Sequence, residues 1–75
     1  MSTITIKIGR SVRTLREGRR LSQEALADLA GVSRSFLGEI ERGEAVPSIE
    51  TLQKLADALG EKLSFLITQY ERLDE

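Results

Sequence analysis

The sequence predicts an all-α fold, a bundle of five short helices with short connections. Three observations carry that expectation. Apolar residues recur at three- and four-residue spacing through most of the 75 residues. Ser22, Ser33, Ser48 and Ser64 each stand before an apolar run, and Gly18, Gly31, Gly43 and Gly60 each stand after one, which is the punctuation of helix caps. After Ile8 the β-branched residues never gather into an alternating run, so strands are not expected.

The first helix is expected over roughly residues 6–19, from Ile8, Val12 and Leu15, with Thr3 or Thr5 as a cap. The opening Thr3-Ile4-Thr5-Ile6-Lys7-Ile8 alternates like a strand, but a lone strand would have no partner. Gly18 weakens the end of this helix and Leu21 turns inward. Ser22 caps the second helix, with Glu24 in a first turn that favours an acid. Leu26, Leu29 and Ala30 form its apolar stripe, and Gly31 stops it. Val32 plugs the turn. Ser33 caps a third helix over roughly residues 34–42, with Leu37 and Ile40 inward and Gly43 at its end. Glu44, Ala45 and Val46 lead into Pro47. Ser48 caps the fourth helix, whose buried side is expected to be Ile49, Leu52, Leu55, Ala56 and Leu59, ending at Gly60. Leu63 plugs the last turn, and Ser64 caps a fifth helix carrying Phe65, Leu66, Ile67, Tyr70 and Leu73.

Composition narrows the function. The length allows a single domain over residues 1–75, and a chain this short buries only about 60–65% of its extended-chain surface. Hydrophobic residues make up 40% and charged residues 31%, a globular rather than disordered or membrane profile. There is no cysteine and no histidine. Disulfides, thiolate nucleophiles, the usual base near neutral pH and the usual zinc ligands are therefore missing, and an enzyme is not expected. Neither a metal nor another cofactor is implied. The longest uncharged stretch near the N-terminus is six residues, too short for a signal peptide or membrane helix, so the cytoplasm is the expected location. The net charge of −1 argues against nucleic acid if read alone. Its distribution does not, because residues 1–37 carry seven basic and three acidic side chains while residues 38–75 carry four and nine. A basic half can face phosphate while the acidic half faces away.

The joint between the second and third helices is the informative constellation. Ala27 is small where two helices cross, Gly31 permits a tight turn, and Leu37 and Ile40 hold the next helix down. That pattern fits a helix-turn-helix, in which the second helix points into the DNA major groove. Any two-helix hairpin could also show it.

The segment Leu21–Ser48, LSQEALADLAGVSRSFLGEIERGEAVPS, resembles the phage-repressor class of helix-turn-helix domains, the lambda- and 434-type repressors among them. The likeness runs over about residues 8–66. The short length and the ending LSFLITQYERL look most like controller proteins of restriction-modification systems. The resemblance implies a lambda-repressor-like domain that binds DNA and dimerises through its C-terminal helix. It implies that Gln23 contacts a phosphate at a helix N-terminus, where unpaired N–H groups attract anions; the alternative is a solvated surface glutamine. It implies that Arg16 and Glu41 form an ion pair between helices 1 and 3 and do not touch DNA. It places Arg42 close to the DNA backbone, at a helix end that also favours a cation.

Arg34, Ser35 and Phe36 open the recognition helix, and residues there reach base edges. Arg34 can bond guanine O6 and N7 together, or contact a phosphate without reading sequence. Ser35 can meet either. Phe36 can pack on thymine methyl groups, or lie half-buried against helix 2. Glu39 can accept from cytosine N4, or orient Arg34 or Arg42. Ser48 offers its hydroxyl and the N–H groups behind it to phosphate. Arg13, Arg19 and Arg20 are general phosphate candidates, or a charged surface. The loop Glu44-Ala45-Val46 has no cation and one acid, which speaks against backbone contacts there.

Phe65, Leu66, Ile67 and Tyr70 stand almost consecutively, too many for one face of a small core. Spare apolar surface over residues 63–73 reads as a two-fold interface. Two recognition helices would then read a pseudo-palindromic operator in double-stranded DNA. The expected function is a homodimeric transcriptional regulator, repressor or activator, that blocks or recruits RNA polymerase and contacts no membrane. A second reading is an antitoxin-like protein whose C-terminal helix neutralises a toxin, and a third is an interaction module that never binds DNA.

Overall fold

The computed structural model describes residues 3–73, with side chains over residues 3–68. Its order is α1 (Thr3–Gly18), α2 (Gln23–Ala30), α3 (Arg34–Glu41), α4 (Ile49–Leu59) and α5 (Leu63–Leu73), with no strand among the described residues. Helix α1 packs against α3, α4 and α5, α2 packs against α3 and α4, and α4 against α5. The core lies where these faces meet. Val12, Leu26, Leu37, Ile40, Leu55, Leu59 and Leu66 are buried completely or nearly so, with Leu15, Leu21, Val32, Phe36 and Leu63 packed around them. Full burial of an aliphatic side chain stabilises by about 1.5–3 kcal/mol, so this cluster is the main stabilising feature of so small a molecule.

Three of the caps are formed by serines. The hydroxyls of Ser22, Ser33 and Ser48 accept from the N–H of Ala25, Phe36 and Thr51 at 3.0, 3.0 and 3.1 Å. Each satisfies a donor that the first helical turn would leave unpaired. Between α2 and α3 the chain reverses at Gly31, whose φ of 71° is left-handed, and Val32 N–H returns to Ala27 O at 3.0 Å. Ser33 follows at once, so the two helices are joined by the shortest turn their caps allow.

The elements depart from the sequence reading in several places. Helix α1 begins at Thr3, so the alternating opening is helical; Ile8 on α1 reaches the core while Ile4 and Ile6 stay partly exposed. Gly18 is not the residue that reverses the chain. Arg20 is, at φ 56°, with Arg20 N–H bonded to Glu17 O and Leu21 N–H to Arg16 O. Helix α5 starts at Leu63, so Ser64 lies inside it rather than capping it. Leu29 and Ile49 were expected in the core but are 63% and 67% exposed. Both sit on the outer side of very short helices, where the inward positions are already filled by Leu26 and Ala30 and by Leu52 and Leu55.

Candidate nucleic-acid interface

Helix α3 divides cleanly into two faces. Leu37, Gly38, Ile40 and Glu41 are buried, Gly38 beneath the Arg42 guanidinium, whereas Arg34, Ser35, Glu39 and Arg42 are exposed. Ser35 and Glu39 are four residues apart, as are Gly38 and Arg42, so these residues share one side of the helix. Arg34 and Ser35 stand in its first turn, directly after the Ser33 cap. Among the described residues no ion pair engages Arg34, Arg10 or Arg20. Arg34 therefore keeps all its guanidinium donors for an outside partner. Phe36 lies half-buried against the core, so most of its ring supports α3 from below rather than standing out from it.

Behind this face α3 is held by a polar network. Arg16 from α1 donates Nε to Glu41 Oε2 at 2.8 Å and Nη2 to Oε1 at 3.1 Å, a two-pronged pair. Its Nη1 reaches Leu21 O at 2.8 Å. Gln23, first residue of α2, donates Nε2 to the same Oε1 of Glu41 at 3.0 Å. One carboxylate thus joins α1, α2 and α3, and no buried side-chain N or O atom among the described residues is left unsatisfied. The hydrogen bond to Glu41 raises the Arg16 pKa, while burial pulls the other way. Gln23 spends one N–H on this network and keeps a second, half-exposed, at the α2 N-terminus.

The remaining arginines differ in what already holds them. Arg13 pairs with Glu17 at 3.3 Å along α1. Arg19 pairs with Glu61 at 2.7 Å. Glu61 follows the C-terminal end of α4, and Ser48 caps the opposite end, about 16 Å away for an eleven-residue helix. Arg19 is thereby drawn away from the Ser48 end. Arg42 pairs with Glu44 at 2.9 Å rather than with Glu39. Arg20 is exposed and unpaired. Ser48 is exposed, with its hydroxyl also 3.0 Å from that of Thr51.

In α5, Leu66 is wholly buried in the chain's own core. It offers no surface to a partner, which corrects its place among the expected interface residues. The 3.6-residue period puts Leu66 on the side that meets α1 and α4. Phe65 and Ile67, on its flanks, remain half-buried. The side chain of Tyr70 lies outside the described residues. Sequence reasoning missed the partners Glu44 and Glu61, which exposed charges do not announce. It also missed Gly9, whose isolation inside a helical run was the available signal.

With this geometry in place, comparison with known proteins shows a match to the helix-turn-helix family model over residues 12–66. This chain belongs to the helix-turn-helix family. It is 37% identical to the immunity repressor protein of Bacillus phage phi105 over 68 residues, 91% of this chain but 47% of the repressor. The chain spans less than half the length of that relative. Among solved structures of the family it resembles the restriction-modification controller protein C.AhdI of Aeromonas hydrophila, with a TM-score of 0.81 and 42% identity, covering 83% of this chain and 94% of that one. It also resembles the biofilm regulator SinR, solved in complex with DNA, with a TM-score of 0.77 and 34% identity, over 80% of this chain and 97% of that one. The all-α fold with its helix-turn-helix is that of the family. No described helix is long and apolar enough to cross a membrane.

Proposed function

We propose that this chain is a sequence-specific DNA-binding regulator of transcription, acting in the cytoplasm as a homodimer on a pseudo-palindromic operator. The observation that carries the reading is the exposed stripe of α3, with an unpaired Arg34 in its first turn and a rigid polar network behind it. A helix presented in this way enters a major groove, and an arginine there can bond guanine O6 and N7 together. Gln23, Ser48 and Arg20 supply neutral and cationic donors to the backbone, which orient the domain without reading sequence. Arg42 adds a further contact at the far end of α3. Arg13 and Arg19, each committed to an acid of the same chain, are weaker candidates. Of the kinds of regulator in the family, a controller protein is favoured, because the likeness to C.AhdI spans nearly all of that protein. Such a protein could act as repressor or activator, and in the second role would also meet RNA polymerase.

Selection of bound sites from a random pool of duplex DNA tests this directly. The expected result is an enriched pair of inverted half-sites whose centres lie about one helical turn apart. Recovery of DNA no different from the input pool would overturn the reading.

A further inference from the structure

We propose that Glu44 is a positioning residue that holds Arg42 back from the DNA phosphate backbone and so sets binding affinity by competition. The proposal rests on the DNA-binding reading above and goes beyond it. Residues two apart on a helix do not face one another. Arg42 and Glu44 meet only because the chain reverses between them, at Gly43 with φ 74°. The reversal is well anchored. Gly43 N–H bonds Ile40 O at 3.0 Å and Glu44 N–H bonds Glu39 O at 2.8 Å. From α1, Ile6 Cγ1 lies 2.9 Å from where a Cβ on Gly43 would stand, so the turn is backed by packing. The outcome is a Glu44 carboxylate 2.9 Å from Arg42 Nε.

The other end of the same guanidinium is placed by Gly38. Arg42 Nη1 lies 3.0 Å from the position a Cβ would take there, with Gln23 Oε1 at 3.8 Å. Arg42 therefore lies flat along α3, over a residue with no side chain, with its Nε taken by Glu44. Helix stability does not account for the acid. The C-terminal end of a helix carries partial negative charge and disfavours a carboxylate. Glu44 occupies the Nε–H of Arg42 and offsets the positive charge that a phosphate would otherwise meet, while the Nη donors stay turned over Gly38. Both side chains are more than half exposed, at 57% and 58%, so solvent weakens the pair and a phosphate can displace it. The result is a contest between an internal carboxylate and an external phosphodiester for one arginine.

The test compares the unmodified 75-residue chain with Glu44→Gln, Arg42→Ala and the double variant. Binding is measured to a duplex recovered from the pool selection and to a scrambled duplex, at one fixed salt concentration. Glu44→Gln is expected to tighten binding to both duplexes by about two- to fivefold, the range of an exposed ion pair. Arg42→Ala should weaken both, and adding Glu44→Gln to it should restore nothing. Unchanged affinity in Glu44→Gln overturns the proposal. So does an equal gain with Arg42 absent, which would mean that Glu44 acts by general repulsion of DNA. Absence of binding by the unmodified chain instead overturns the DNA-binding reading, and the proposal falls with it.

Discussion

Glu41 is the residue on which the presentation of α3 depends most. Its carboxylate accepts three hydrogen bonds, two from Arg16 and one from Gln23, and its side chain is 2% exposed. Removing one partner of such a pair strands the other in a poorly solvated place. Glu41→Ala is expected to cost about 3–5 kcal/mol, a large share of the stability of any small protein, read as a lowered midpoint in chemical denaturation. The pair is indifferent to alkali over the ordinary range. The Arg16 pKa is raised, so its contribution is complete below the free arginine value and is lost only above it. Arg34 stands exposed in the first turn of α3, directly after the Ser33 cap. Arg34→Ala should weaken operator binding by about 1–3 kcal/mol and relax one base position. Equal losses on operator and scrambled DNA would make it a phosphate contact instead.

At the scale of elements, two backbone features decide how α1 meets its neighbours. A Cβ on Gly9 would overlap Ile40 O, because α1 and α3 cross in direct backbone contact there. Gly9→Ala must push α3 outward, and is expected to destabilise by at least the upper end of the usual overpacking cost of about 1–3 kcal/mol. At the end of α1, Arg20 holds the left-handed conformation that costs an L-residue about 1–2 kcal/mol, while Gly18 sits within the helix with nothing within 4 Å of its absent Cβ. Gly18→Ala should therefore raise stability by about 0.5–1 kcal/mol, and Arg20→Gly should raise it by about 1 kcal/mol. If Arg20 touches phosphate, the second change also lowers DNA affinity. Thermal melts paired with binding curves separate these effects.

For the whole molecule, the helices could be read from local signals because serine caps and glycine stops act within a few residues. Gly31, Gly43 and Gly60 after the helices and three of the four serines before them mark element ends in the structure, while Gly18 lies inside α1 and Ser64 inside α5. What could not be read depends on distance in sequence. The Arg19–Glu61 pair spans 42 residues, and the Gly9–Ile40 contact leaves no mark beyond an isolated glycine. The Arg16–Glu41 pair was legible only through family resemblance, since spacing alone does not bring residues 25 apart together. Leu29, Ile49 and Leu66 show a further limit. Helical periodicity marks apolar positions but does not say which of them a small core has room for. Self-association should accordingly be probed at Phe65 rather than Leu66. Phe65→Asp is expected to give a folded monomer in sedimentation, and Leu66→Asp an unfolded chain; an unchanged dimer mass for Phe65→Asp would refute an interface there.

The open side of α3, with the N-terminal ends of α2 and α4, is the surface proposed to meet DNA. Backbone amide shifts recorded by NMR while a selected duplex is added test it most directly. Changes are expected to concentrate at Ser22–Gln23, Arg34–Phe36, Glu39, Arg42 and Ser48, with the Gly60–Glu61 end of α4 undisturbed. Changes gathered around Gly60 and Glu61, with Arg34 and Ser35 silent, would contradict it.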